Sequence, residues 1–254
     1  MPTVDEIKSY LEEQIPPSLR EDYDNVGLLA GFPEREVTRV LVVLDITLDA
    51  IEEAAGLQAE LIVAHHPIIF TPMRSVLDSS PNGRRVIRLL HSGLSAICMH
   101  TNLDRLEGGV NTALAAALGG EDPEMMDMGC VCRLSPPSPL ESFLTLARDT
   151  LGAPAIRYAA SGRPVSRLAL CGGAGGDLLY KAAELGCDTF LTGEIKHHQW
   201  IDGTELGLNL IEAGHFATEN VVTPALADMI RRRFPEIDVC LSRRQETVYR
   251  GFSF

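Results

Sequence analysis

Apolar positions along the chain fall into two alternating kinds of run. Val4, Ile7, Tyr10 and Leu11 recur at helical spacing behind Thr3, which predicts a capped helix over 4–14 that stops before Pro16-Pro17. EDYDNVGLLAG then passes from polar to apolar, a loop entering a short strand. Residues 37–47 (VTRVLVVLDIT) hold a continuous apolar run of the kind buried on both faces of a parallel sheet. A helix (LDAIEEAAGLQ), a second buried strand (AELIVAHHP), a helix over 84–91, a third strand (SAICMH) and a helix over 109–118 follow. Residues 120–140 contain four prolines and no steady pattern, and read as a junction. Alternation then restarts with a helix over 140–151, the strand VSRLALCGG, a helix over 177–185, the strands CDTFLTGE and 207–213, a helix over about 220–232 and a last strand, DVCLS. Strand and helix alternating at this spacing predict an α/β protein with mostly parallel sheets.

The second half repeats the first. With residue 37 laid on residue 165, VTRVLVVLDITLDAIEEAAGLQAELIVAHH meets VSRLALCGGAGGDLLYKAAELGCDTFLTGE without a gap. Val37/Val165, Arg39/Arg167, Asp49/Asp177, Ala54/Ala182, Ala55/Ala183 and Leu57/Leu185 are identical, and Thr38/Ser166 and Glu60/Asp188 are similar. After a longer loop in the first copy, GLSAICMH with TNL and Asp104 matches GLNLIEAGH with FAT and Glu219. The expected architecture is therefore two related α/β lobes arising from an internal repeat. The first lobe spans residues 1–125 and carries HHP and HTNLD. The second spans 126–254 and carries TGE and GHFATE.

Composition narrows the class. A chain of 254 residues with 45% hydrophobic content has enough material for one large or two small cores. Its net charge of −13 disfavours a nucleic-acid or anionic-membrane partner. None of the six cysteines forms a C-x-x-C pair, and most lie in apolar strands, as reduced buried thiols do. The N-terminal residues lack a signal-peptide pattern, and no apolar run approaches the ~20 residues of a membrane helix. A cytoplasmic protein without membrane attachment is the expectation.

Six of the seven histidines carry the chemical signal, and His91, at a helix end, is the one outside. His65 and His66 end one buried strand, His100 ends another with Asp104 just beyond, His197 and His198 follow a third, and His215 ends a fourth with Glu219 beyond it. Ligands of parallel α/β sheets gather at the carboxyl ends of strands. Neighbouring histidines on an extended chain point to opposite faces, and Pro67 keeps His66 extended. A single strand-end histidine is more often a core residue bonded to backbone, but HHP with two H-x-x-x-D/E endings favours metal ligation. Imidazole with carboxylate suits Zn, Mn, Fe or Co, and the absence of thiolate at these positions argues against a structural zinc site. His65, His66, Asp104, His215 and Glu219 exceed the usual protein donors of one catalytic ion. They suit two ions about 3.5–4 Å apart that activate water, with each lobe supplying part of a site between them.

LIVAHHPIIF, HTNLDRLEGGVNTALAAALG, TGEIKHH and GHFATE, with DNVGL near the start, resemble the NIF-three-like dinuclear-metal family, the type-two GTP cyclohydrolase I homologues. The resemblance covers nearly the whole chain. It implies two intertwined α/β/α lobes, a dinuclear divalent-metal site with His65, His66, Asp104, His215 and Glu219 as ligands, His100 beside them, and toroidal homohexamers. It also implies a hydrolase acting on a small, nucleotide-like molecule, with GTP ring opening as the named candidate. Some members carry a large inserted domain where this chain has only residues 120–140. The alternative from another class is a metal-binding hexameric scaffold or interaction protein without catalysis.

Other positions admit two readings each. Glu194 and His197 of TGEIKHH are acid/base candidates, since a carboxylate and an imidazole exchange protons with metal-held water, or else a helix start with surface histidines. Asp24-Asn25 and Asp45-Ile46-Thr47 either line the cleft or serve as turns and caps. CGGAGGD (171–177) either cradles phosphate, as a nucleotide-binding oxidoreductase would require, or makes a tight turn. Arg231–Arg233 reads as a solvated helix end.

Overall fold

The structure is a computed structural model that describes residues 1–250. The chain divides into two compact units. The first is Met1–Leu106 with Thr223–Gln245, and the second is Glu107–Val222 with residues 246–250. The division falls earlier than the expected 125/126, and the chain re-enters the first unit near its end.

In the first unit, helix α1 (Val4–Gln14) starts as expected. The Thr3 hydroxyl accepts from the Glu6 amide, Glu6 accepts from the Thr3 amide, and Val4, Ile7 and Leu11 are fully buried. Strands β1 (Gly27–Ala30), β2 (Arg39–Val43), β3 (Leu61–Ala64) and β4 (Ser95–Cys98) are joined through helices α2 (Leu48–Gly56) and α3 (Pro81–His91). A short helix, α4 (Thr101–Asp104), follows β4. The C-terminal helix α10 (Thr223–Arg233) and strand β11 (Asp238–Leu241) complete this unit. The sheet order is β1-β4-β3-β2-β11, parallel except for β1. Four-residue strands that are buried at every position, such as LIVA and SAIC, explain the unbroken apolar runs.

The second unit holds β5 (Glu121–Met126), β6 (Gly129–Ser138), β7 (Arg157–Ala159), β8 (Val165–Cys171), β9 (Thr189–Thr192) and β10 (Asn209–Glu212). Its helices are α5 (Val110–Ala117), α6 (Leu140–Leu151), α7 (Leu179–Glu184), α8 (His197–Glu205) and α9 (His215–Glu219). The sheet order is β5-β6-β8-β9-β10-β7. Residues expected to form a junction thus make an antiparallel hairpin, β5–β6. Pro123 sits on an edge strand, where a missing amide costs no ladder bond, and Pro136 and Pro137 lie where the β6–β8 register slips between Arg133 and Ser138. Exposure of Glu121–Glu124 removes the apolar signal from β5.

Each unit therefore contains three consecutive parallel strands with an antiparallel strand beside the third: β2-β3-β4 with β1, and β8-β9-β10 with β7. Val40 opposes Leu61 in the first sheet and Leu168 opposes Thr189 in the second, the same positions paired by the overlay of the two halves. Side-chain bonds coincide as well. The Thr38 and Arg39 amides donate to Glu60 Oε2 at 2.9 and 3.0 Å, and the Ser166 and Arg167 amides donate to Asp188 Oδ2 at 3.1 and 2.7 Å. Among the described residues, no helix is long and apolar enough to cross a membrane.

Candidate metal centre

The expected ligands of the first unit lie past the carboxyl ends of β3 and β4. His65 is fully buried and follows directly on β3. Its Nδ1 is 2.9 Å from the Met99 carbonyl oxygen, which can only accept, so Nδ1 carries the proton and Nε2 keeps the lone pair. That Nε2 lies 3.6 Å from Oδ1 of Asp104, the last residue of α4. His66 turns its Nδ1 to Asp45 Oδ1 at 2.8 Å, and His100 turns its Nδ1 to Asp24 Oδ1 at 2.7 Å. A ring nitrogen from each of His65, His66 and His100 lies within 4.8 Å of those of the other two.

Both readings of these segments have support: Asp24 and Asp45 bond strand-end imidazoles, while Thr47 caps α2 and Asp24 also accepts from the Asn25 amide. Each of the two carboxylates fixes the tautomer and the orientation of a strand-end imidazole, as carboxylates do behind metal-ligating histidines. Asp24 is held in turn by the Thr101 amide at 3.0 Å and the Thr101 hydroxyl at 2.6 Å. Burial opposes ionisation of Asp24, but the bonds from His100 and Thr101 override it and hold the carboxyl well below the usual carboxylate range.

In the second unit, His215 opens α9 directly after β10, and Glu219 closes it one turn later. His215 Nε2 lies 3.0 Å from Glu219 Oε2, and its Nδ1 lies 2.7 Å from Glu194 Oε1. Nδ1 donates to Glu194, so an electron pair on Nε2 would face a carboxylate oxygen. A proton on either atom, or a metal ion held by both, makes the approach favourable. Glu194 therefore backs His215 in the way that Asp45 backs His66. His197 begins α8, exposed, as is His198, and neither belongs to a group of described residues able to hold a metal ion.

The glycine-rich turn acts on the same carboxylate. The amides of Gly172, Gly173 and Gly175 donate to Asn111, Thr218 and Thr192 at 2.9, 3.0 and 3.0 Å, so these three are committed within the protein rather than offered to a phosphate. Gly173 adopts φ +63°, and a Cβ there would overlap Glu219 Oε1. Sequence reasoning missed this role. The run of glycines signalled a turn but not which side chain the turn approaches. A cleft of about 410 Å³ in the same unit is lined by Arg157, Gly193, Glu194, Lys196, Glu212 and Tyr249, among others.

The donor set fits divalent metal ions: imidazoles with the tautomer fixed by backbone or carboxylate acceptors, and carboxylates adjoining them. Comparison with known proteins finds relatives that span nearly the whole chain. A protein of Clostridium perfringens named GTP cyclohydrolase 1 type 2 homolog is 31% identical over 240 residues, covering 91% of this chain and 92% of its own. The Protein NIF3 homolog of Schizosaccharomyces pombe is 28% identical, with 93% of each chain covered. The crystal structure of a Staphylococcus aureus hypothetical protein superposes with a TM-score of 0.93 at 27% identity, covering 98% of this chain and 99% of the other. The model of the family described as Duf34/NIF3 (NGG1p interacting factor 3) matches residues 2–247, and the chain belongs to that family.

Proposed function

We propose that the chain is a dinuclear divalent-metal-dependent hydrolase acting on a small, nucleotide-like substrate. His65, His66, Asp104, His215 and Glu219 would together hold two ions. The observation that supports this most directly is the shared tethering of four imidazoles. His65, His66, His100 and His215 each commit Nδ1 to a fixed acceptor, which turns Nε2 into a preset electron-pair donor. Such ions, when bound, supply Lewis acidity and lower the pKa of water. The chain's own residues do the rest. Asp24, Asp45 and Glu194 hold ring orientation, Gly173 leaves room for Glu219, and Glu194, which lines the cleft, is the proposed proton acceptor. His197 is the second proton-transfer group proposed. The cleft volume of about 410 Å³ falls within the usual range for small-molecule sites.

The name shared by relatives of Clostridium and other bacteria makes GTP the first substrate to try. By the same family resemblance, the chain would assemble as a toroidal homohexamer; the cytoplasm is the compartment proposed for it. The test is metal analysis of the purified protein followed by a GTP turnover assay with the wild type, His66→Ala and Glu219→Ala. Loss of turnover in both variants supports the reading. Turnover equal to wild type in both would refute the site. Two ions bound without turnover of GTP or of a broad hydrolase panel would favour a metal-binding scaffold.

A further inference from the structure

Two large aromatic side chains of the first unit stand in solvent beside the strand-end histidines. Tyr23 is 67% exposed and Phe70 46%, whereas Phe143 and Phe190 are fully buried. The ring centroids of Tyr23 and Phe70 are 6.2 Å apart with planes at 77°, and the Phe70 ring lies 5.8 Å from the His100 ring at 89°. A line of edge-to-face contacts thus runs from solvent to the imidazoles. Charged groups rim it: Asp22 is exposed, and Glu21 pairs with Arg105 at 2.5 Å. Exposed apolar groups with a polar rim mark places where something binds.

Both rings sit on anchored backbone. The Asn25 side-chain amide donates to the Ile69 carbonyl at 2.6 Å, which ties the segment before β1 to the one that carries Phe70. The Glu21 amide donates to the Thr101 hydroxyl at 2.9 Å, and the buried Asp24 accepts from the Thr101 amide and hydroxyl and bonds His100. Tyr23 therefore lies between two fixed residues, and Phe70 follows another. Rings placed before a ligand arrives cost it less ordering entropy.

We infer that Tyr23 and Phe70 are a stacking platform that receives a planar heteroaromatic ring, of the purine or pyrimidine kind, and directs the rest of the same molecule toward His100 and the metal centre. Two rings near a right angle form a corner in which a third can stack on one and meet the other edge-on. Stacking accepts any base, since each has a π face, so the platform selects for a ring rather than for one pattern of hydrogen bonds. Glu21, Asp22 and Asp24 flank Tyr23 and disfavour an anion at the platform, which leaves any phosphate to the metal end. The inference deepens the substrate class proposed above. It rests on a small molecule meeting the metal centre and not on hydrolysis.

The test reads binding by the full-length chain, not turnover. Metal-free protein is titrated with 2-aminopurine riboside, whose fluorescence is quenched when it stacks. Zinc-loaded protein is titrated calorimetrically with GMP and with ribose 5-phosphate, which differ by the ring. Quenching in the wild type and binding of GMP about 10-fold tighter than ribose 5-phosphate are expected. Tyr23→Leu and Phe70→Leu should each weaken GMP binding about 10-fold and reduce the quenching. Tyr23→Phe and Phe70→Tyr keep a ring and should bind as the wild type does, which holds the test open where a leucine variant folds poorly. Phe32→Leu should change nothing: Phe32 is also exposed, but its amide bonds Ser95 at the start of β4, the end away from His100.

Equal binding of GMP and ribose 5-phosphate, absence of quenching, or leucine variants that bind GMP as the wild type does overturns the inference. So does a fall in oligomer mass in the leucine variants with quenching retained, which would assign the rings to a contact between copies. Ring-dependent binding of GMP that stays intact supports the platform and counts against hydrolysis alone. A chain that takes up no zinc removes the metal centre, and the metal-free quenching still decides the platform.

Discussion

Glu194 Oε1 lies 2.7 Å from His215 Nδ1, so a residue from the turn after β9 sets the tautomer of a proposed ligand that begins α9. Removing this carboxylate leaves the imidazole free to rotate and to exchange tautomers. Glu194→Ala is expected to weaken binding of the metal ion held through His215 about 10–100-fold, with Glu194→Gln recovering part of the loss because its carbonyl still accepts. Isothermal titration of the apo protein with Zn²⁺ measures it. An unchanged affinity in Glu194→Ala would remove Glu194 from any supporting role.

Gly173 and Gly152 provide a matched pair. Both have left-handed φ angles, +63° and +62°, but a Cβ at Gly173 overlaps Glu219 Oε1 whereas one at Gly152 meets nothing within 4 Å. Alanine at either position should cost stability of about 1 kcal/mol from backbone strain. Only Gly173→Ala should also lower the metal content, by displacing Glu219. Thermal melts and metal counting on both variants separate strain from site damage.

Asp24 gives a pH signature. Its folded carboxyl titrates below the usual value of 3.8, so its contribution to stability is fully present above that value and is lost as pH falls toward the folded pKa. Asp24→Asn should therefore destabilise the apo protein by roughly 2 kcal/mol at pH 7, the scale of a charge-assisted bond. The gap between wild type and variant should shrink below about pH 4. Urea unfolding at pH 7 and pH 3 checks the sign. A gap that widens on acidification contradicts the assignment.

Burial pushes the thiols of Cys98, Cys130 and Cys132 up to about 12. Their thiolate fraction at pH 8 is correspondingly small. An alkylating reagent at pH 8 should leave these three intact in the folded protein and modify them once it is unfolded. Cys240, half-buried where the other five are buried, should react first. Peptide mass mapping distinguishes the sites.

Much of the fold was legible because it is written in apolar runs. LIVA, SAIC and TFLT are buried at every position and announced themselves. The β5–β6 hairpin did not, because Glu121–Glu124 are exposed on an edge and the Pro136-Pro137 pair falls at a register slip. Nor did α8, whose residues HHQWIDGTE carry little apolar periodicity. At the site, histidines at strand ends were readable from position alone. Their tethers were readable only as ambiguous turn residues, because Asp24 and His100 are far apart in sequence and meet only once β4 is in place. The contact between Gly173 and Glu219 is likewise a product of tertiary folding and leaves no local trace.

The late return of the chain to the first sheet has a consequence for biosynthesis. Strand β2 lies between β3 and β11, and β11 is Asp238–Leu241. While the ribosome is still making the second unit, the outer edge of β2 has no sheet neighbour and offers its backbone to any passing strand. The first unit is thus the earliest to begin and among the last to close. The interval between them is the window in which a nascent chain of this kind is most exposed to mispairing with its own copies and most dependent on chaperones.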